Sequence, residues 1–465
     1  MTRAAAISRA HRYFDSGEFQ QDLARRVAIP TESQNPERTQ DLARYIKSEI
    51  QPALEKLGFR CRTLSQARAK GPFLYAERIE DPALPIVLGY GHGDVIRGLD
   101  TMWQAGLSPW TLIEKDGRYY GRGVVDNKGQ HTINIAAQAA VLAERGKLGF
   151  NAKWLIEMGE ETGSPGLREL CAEHKDLFKA DALVGSDGPR LTADRPTISL
   201  GTRGAFPIDL WIDAREGGHH SGNWGGLLSS PAIQFVHALS TITGPTGQIR
   251  IPEWVPKDGI PPSVKRALAD CEVKSGPGDP EIDPNWAEPG LTLAEKVFAW
   301  CTFEILAMES GVPASPVNAV PPRAWARGQI RFVVGTNPDE FLPALRRHLD
   351  RHGFPMVQIA KARDDVMMAT RLDPEHPWAR WAATSIAKTT NAKPAVLPNV
   401  GGSLPNDIFT YGLGLPTIWI PHSYPGCSQH APNEHFPTAL AREALGIMAG
   451  VYWDLGEPGT PARAT

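Results

Sequence analysis

Cysteine is scarce here: five residues among 465, odd in number and never spaced as CxxC. Cys61, Cys171, Cys271, Cys301 and Cys427 are widely scattered, a pattern that suits free thiols in a reducing compartment. Long apolar runs are missing too, so no segment of the chain has the length to span a bilayer. The stretch Met1 to Phe14 carries basic residues without the apolar centre of a signal peptide. A cytoplasmic protein with no membrane partner is the expectation. Basic excess is absent as well. Lys plus Arg number 49 against 52 Asp plus Glu, a formal net charge of −3, and no basic stripe stands out, which argues against a nucleic-acid partner.

What is present reads as an ordinary globular protein, 42% hydrophobic and 22% charged. The length exceeds what one core usually serves, so two domains are expected. Amphipathic segments open the chain at Phe19 to Ala28 and Arg38 to Leu57. The pattern then predicts strands at Pro85–Tyr90, Lys153–Met158 and Ala182–Gly185, and helices at Asn127–Arg145 and Gly166–Phe178. Such alternation argues for an α/β layer architecture. After Gly201 the character changes. Ala205–Ala214, Ala324–Val334 and Met356–Lys361 read as strands, Pro231–Ile242 and Pro338–His352 as helices. These give most of a small ferredoxin-like unit, with one strand unplaced. Ile251 to Gly290, dense in Pro, Gly and acidic residues, reads as a long loop or insertion. From about Pro374 the α/β pattern resumes, with a strand at Pro416–Ile420 and a last helix at Thr438–Trp453. Residues after Gly456 read as a frayed tail.

Several residues capable of holding metal follow these strands. His92-Gly-Asp94 lies just past one, where ligands gather in open α/β sheets. At extended geometry residues i and i+2 face the same way, so Asp94 is placed to accept the second imidazole N–H of His92. Asp126 sits in a Gly-rich turn before a helix, Glu160-Glu161 after a strand, Asp187 after another, and His430 after the strand Pro416–Ile420. Each has a plain structural explanation by itself: a strand-end turn, an N-cap, a solvated turn, a turn aspartate, a surface loop histidine. As a set, most of them at the strand ends of one sheet, these two imidazoles and three carboxylates suit a pair of borderline divalent ions with one carboxylate bridging.

The ordered motifs Gly91-His92-Gly-Asp94, Gly121-Arg-Gly with Asp126-Asn-Lys-Gly129, Glu160-Glu161, Ser186-Asp187 and His430-Ala-Pro-Asn-Glu434 resemble the M20 family of metallopeptidases and deacylases. That family includes carboxypeptidases, carnosinase-type dipeptidases, acetylornithine deacetylase and succinyl-diaminopimelate desuccinylase. The resemblance spans about residues 20 to 455. It implies an α/β fold: a di-metal catalytic domain with a mixed sheet flanked by helices, plus an inserted ferredoxin-like α+β lid and dimerisation domain. The catalytic domain would comprise residues 1–203 and 370–465, the lid 204–369. Carried over residue by residue, His92, Asp126 and Asp187 bind one metal, and Asp126, Glu161 and His430 the other. Asp94 orients His92, and Glu160 is the general base and acid. His220, in Gly218-His219-His220-Ser-Gly222, matches the lid histidine of the family, with His219 beside it as a rival. Arg331 and Gly401-Gly402-Ser403 match substrate-contacting positions, as does Asn318. The chain departs from many relatives in carrying Asn127 where a second Asp stands.

Two divalent ions, Zn²⁺ first and Co²⁺ or Mn²⁺ as alternatives, are therefore the expected cofactors, and a homodimer through the lid the expected assembly. The expected reaction is hydrolysis of an amide bond in a small carboxylate-bearing substrate, a dipeptide or an N-acyl amino acid. A non-peptide aromatic amide is the alternative substrate, and a catalytically retired metal-binding scaffold the alternative function. A retired protein typically loses the base or a ligand, whereas this chain keeps them all. A two-metal phosphoesterase needs cations to clamp phosphate, and the motifs supply few.

Overall fold

The computed structural model of the protein describes residues 1–276, 280–363 and 366–461. An eight-stranded sheet runs in the spatial order Arg60–Leu64, Phe73–Arg78, Asn151–Glu157, Ile86–His92, Ala182–Gly185, Thr417–Trp419, Thr197–Ser199, Ala395–Leu397. Four central strands, Asn151–Glu157 through Thr417–Trp419, are mutually parallel, with antiparallel pairings outside them on either side. Every residue of Asn151–Glu157 is buried, as parallel strands covered on both faces require.

Alternate side chains feed two cores, because a strand turns successive residues to opposite faces. Trp154, Ile156, Val87 and Val184 meet the helices Arg3–Asp15, Lys128–Arg145, Pro377–Thr390 and Thr438–Leu455 on one face. Leu155, Leu88, Tyr90 and Leu183 pack with Leu167, Leu170 and Phe409 on the other. The helix Lys128–Arg145 starts tight against its own entry loop. A Cβ on Gly129 would stand 1.8 Å from the Val124 carbonyl oxygen, so only glycine fits there.

A second sheet has four strands in the order Thr302–Ser310, Arg323–Phe332, Gly204–Asp213, Gln358–Lys361, all antiparallel. Phe206, Ile208, Leu210 and Ile212 alternate onto one face, where helices Pro231–Ile242 and Phe341–Arg351 cover them. Thr302–Ser310 is the strand the sequence pattern leaves unplaced. It lies at the sheet edge with most residues exposed, so no alternation of buried and polar positions marks it.

Three expectations need correction. The stretch from Ile251 to Gly290 is not a bare loop. Its described residues include a 3₁₀ turn at Pro252–Trp254 and a helix at Pro262–Leu268, and they bury Trp254, Ile260, Val264 and Leu268; residues 277–279 lie outside the described residues. The helix read as Gly166–Phe178 stops at Glu173, although Phe178 stays buried. Beyond Gly456 the chain is tied down rather than frayed. Glu457 pairs with Arg145, and the Thr460 hydroxyl donates to the carbonyls of Asp454 and Leu455 at 3.1 Å. Residues 462–465 of that tail lie outside the described residues.

Candidate metal centre

The four central parallel strands deliver their carboxyl ends to one place. His92 ends its strand, Glu160 and Glu161 follow Glu157, Asp187 follows Gly185, and the loop to His430 begins after Trp419. Asp126 arrives from the turn before helix Lys128–Arg145. Ligand atoms of His92, Asp126 and Asp187 lie within 4.8 Å of one another, and so do those of Asp126, Glu161 and His430. Asp126 belongs to both triads and turns one oxygen to each. Its Oδ1 is 3.1 Å from His92 Nε2 and its Oδ2 is 3.1 Å from His430 Nε2. His92 Nε2 is also 3.5 Å from Asp187 Oδ2, and His430 Nε2 is 2.9 Å from Glu161 Oε2. His430 itself takes a left-handed backbone conformation, φ 59°, uncommon for a residue with a Cβ and characteristic of functional loops.

The electrostatics ask for cations. Burial pushes the carboxyl of Glu161 up to about 7, with the Asp126 charge adding to the effect. Burial also raises Glu160 well above the usual range, and neighbouring Asp187, Glu161 and Asp126 push the same way. Asp126 moves oppositely: burial alone would raise it, but hydrogen bonds from His430 and His92 hold it below the normal carboxylate range. Those same carboxylates hold His430 up at about 11. Glu161 Oε1 and Asp187 Oδ2 are buried with no hydrogen-bond partner among the described residues. Carboxylate oxygens left bare, in a cluster richer in acid than in imidazole and without cysteine, fit two divalent cations of the zinc, cobalt or manganese type.

A supporting layer fixes these groups. The Nδ1–H of His92 donates to the Asp94 carbonyl at 3.1 Å, and Asp94 Oδ1 stands 3.4 Å from the same nitrogen. The Asp94 carboxylate is also engaged with the backbone N–H groups of Glu160 and Glu161, a use the sequence did not reveal. Glu434 is a second finding beyond the sequence reading, which quoted it in a motif and gave it no role. It accepts from Arg122 at 2.8 Å and from the backbone N–H groups of Gly123, Val125 and Asp126 at 3.1–3.2 Å. The loop bearing His430 is thereby locked to the loop bearing Asp126. Asn127 explains its own departure from the motif. Its amide donates to the Ser186 carbonyl at 2.8 Å and its oxygen faces His131 Nδ1 at 3.1 Å, two roles that a carboxylate cannot combine.

The remaining candidates lie elsewhere. His220 is exposed, pairs in strand geometry with Ala319 and accepts the Gly222 N–H at 3.1 Å. Asn318 is exposed nearby, its carbonyl accepting the Ser221 N–H at 2.9 Å. Neither lines the cleft that opens over Asp126, Glu160, Asp187 and His430. Gly402 and Ser403 do line it, and Arg331 donates to Ser403 Oγ at 2.8 Å. Burial lowers the Arg331 pKa, and nearby Arg363 adds to this; among the described residues Arg331 has no ion pair.

Comparison with known proteins agrees with this geometry. The profile of Peptidase family M20/M25/M40 matches residues 88–454. The Beta-Ala-His dipeptidase of Rattus norvegicus is 33% identical over 265 residues, 54% of this chain and 53% of that protein, so the chain spans about half the length of that relative. In fold, the chain is similar to human carnosine dipeptidase 1 (TM-score 0.75, 24% identity, 97% of this chain and 99% of that one). It is equally similar to an M20 family metallo-carboxypeptidase from Sulfolobus solfataricus (TM-score 0.76, 23% identity, 94% and 99%). With the profile covering well over half of its length and the motif residues converging as two triads on one aspartate, this chain belongs to peptidase family M20/M25/M40.

Proposed function

We propose that the protein is a two-metal hydrolase that cleaves an amide bond in a small carboxylate-bearing substrate, a dipeptide or an N-acyl amino acid. The observation that carries this is the division of Asp126, one oxygen toward the His92–Asp187 group and one toward the Glu161–His430 group. The dipeptidase and carboxypeptidase names of the relatives support the substrate class. When bound, two metals, zinc first, would polarise the scissile carbonyl and make a water acidic enough to lose its proton near neutral pH.

The chain's own residues supply the rest. Glu160 lines the cleft, and its Oε2 lies 4.0 Å from His92 Nε2, at the edge of the ligand cluster. From there it takes the proton of the attacking water and returns it to the leaving amine. Its burial among carboxylates keeps its proton affinity high enough for both steps. Arg331, which has no ion pair among the described residues and donates to Ser403, offers a planar fork to the substrate carboxylate.

The unit of residues 204–369 acts as lid and dimerisation domain in this reading. Support comes from its surface. Ile233 and Val236 on one helix and Leu306 and Met308 on the edge strand are each more than half exposed, apolar positions of the kind a partner covers. His220 and Asn318, exposed on the same unit, would then complete the partner's site. Among the described residues no helix is long and apolar enough to cross a membrane. Five free cysteines support our placing the protein in the cytoplasm.

The test is metal analysis with a hydrolysis screen over dipeptides, N-acyl amino acids and aryl amides. Chelation should abolish turnover and Zn²⁺, Co²⁺ or Mn²⁺ restore it. Full activity in verified metal-free protein refutes the mechanism, and activity confined to aryl amides moves the substrate class.

A further inference from the structure

The stretch from Ile251 to Gly290, which reads in sequence as a long loop or insertion, forms a wall of the cleft together with the helix Leu293–Phe298 that follows it. Ile260, Val264 and Leu268 from this stretch and Phe298 from that helix make one apolar cluster with Ala395 and Leu397, residues of the edge strand of the eight-stranded sheet. The insertion is thus docked on the catalytic sheet by a core of its own. Its exposed edge, with residues of the sheet, gives the cleft of about 630 Å³ an apolar side: Leu191, Val273, Val297, Phe298, Leu397 and Leu404. A cleft of this size holds a ligand of dipeptide dimensions.

The cation that would grip a carboxylate, Arg331, does not itself line the cleft but reaches it through the cleft residue Ser403. Arg203 ties the apolar side to that serine. Its guanidinium donates to the Val297 carbonyl at 2.9 Å and to the Thr302 hydroxyl at 2.7 Å, while its own carbonyl accepts from Ser403 Oγ at 2.8 Å. That same Ser403 oxygen accepts from Arg331. Val297 also reaches Gly401 directly, its Cγ1 standing 3.4 Å from where a Cβ on that glycine would lie. Phe298, Leu397 and Leu404 are buried in the core beneath and Leu191 and Val273 are half-buried, but Val297 keeps 36% of its surface open. The arrangement links Val297 to the carboxylate anchor through Arg203 and Ser403.

We propose that this wall is the specificity pocket for the substrate residue that carries the carboxylate, and that it selects a large apolar side chain there, of leucine or phenylalanine type. The inference rests on the amide-hydrolase reading above and adds the side of the scissile bond that is recognised. A glycine at that position leaves the wall wet, and an aspartate sets its charge against six apolar side chains, while Arg190 and Lys274 of the same cleft are already paired with Glu443 and Glu272.

The experiment uses the full metal-loaded chain and compares kcat/KM on Ala-Gly, Ala-Asp, Ala-Leu and Ala-Phe with the reversed Leu-Gly and Phe-Gly. Ala-Leu and Ala-Phe should exceed Ala-Gly and Ala-Asp by about tenfold or more, the discrimination an apolar pocket usually gives. The reversed pair should show no such gain, and Ala-Leu amide should be a poor substrate because Arg331 is left unmatched. Val297→Ser should lower kcat/KM on Ala-Leu several-fold more than on Ala-Gly. Binding of N-acetyl-leucine and N-acetylglycine to the metal-retaining Glu160→Ala protein reads the pocket without turnover, and the leucine compound should bind more tightly. Hydrolysis of all six dipeptides at similar rates, a preference for Leu-Gly, or equal binding of the two N-acetyl compounds overturns the pocket and leaves the hydrolase reading intact. Failure to cleave any dipeptide, N-acyl amino acid or aryl amide with metal present defeats the hydrolase reading itself, and this inference with it.

Discussion

Asp94 holds Glu160 by the backbone: one carboxylate oxygen accepts the Glu160 N–H at 3.1 Å and the other accepts the Glu161 N–H at 3.2 Å. The same residue, through its carbonyl, orients His92. One buried aspartate therefore sets the position of an imidazole and a carboxylate proposed as metal ligands, and of the proposed base. Asp94→Ala should lower metal affinity or kcat/KM by about 10- to 100-fold, the usual cost of losing a group that orients ligands. Asp94→Asn, which keeps one acceptor oxygen, should cost less. Equal activity of wild type and Asp94→Ala would remove this residue from the mechanism.

The proposed roles of Glu160 and Asp126 separate in a direct way. Glu160→Ala should keep both metals and lose most turnover. Asp126→Ala should lose metal, because both triads depend on that one carboxylate. Metal content and rate measured on each variant decide the point, and a fully active Glu160→Ala protein rejects its assignment as base.

Glu434 gives a prediction about stability. Its ion pair with Arg122 is buried, with both side chains only 1% exposed. Removing one partner leaves a charge without water or counter-ion, and three backbone N–H groups lose their acceptor as well. Glu434→Ala should cost about 3–5 kcal/mol, read as a lower urea midpoint at an unchanged slope. A loss under about 1 kcal/mol would mean that the two loops hold each other by other contacts.

The exposed position of His220 makes its proposed role testable by mixing. His220→Ala and Glu160→Ala subunits should each be nearly inactive alone. If His220 works in the partner's site, mixed dimers gather both defects in one site and leave the other whole, so activity returns. If the mixture stays inactive although dimers exchange, His220 does not act across subunits.

Four of the five candidate ligands were legible in the sequence because they sit at or after the ends of strands whose apolar runs are hard to mistake, and strands of a parallel sheet bring their carboxyl ends together by topology; Asp126 was marked instead by its Gly-rich turn before a helix. Pro85–Tyr90, Lys153–Met158, Ala182–Gly185 and Pro416–Ile420 all contain or closely match strands of the structure. What escaped was whatever lacks a local pattern. Thr302–Ser310 shows no burial alternation because it is an exposed edge, and its place comes only from pairing with Arg323–Phe332. Composition made the insertion look like a loop, since Pro and Gly punctuate it, yet scattered apolar residues find a partner in a strand more than a hundred positions away.

By itself the sequence determined the residue types of the metal centre, their order, and the α/β alternation that lines them up, because these depend on local periodicity and short spacings. Only the tertiary structure decided how those residues are held and what the cleft looks like. Asp126 faces two histidines with separate oxygens, Glu434 clamps a loop some three hundred residues distant, and Val297 lands beside Ser403 through Arg203. Each of these is a contact between segments far apart along the chain, set by how the packed layers meet, and no local pattern encodes it.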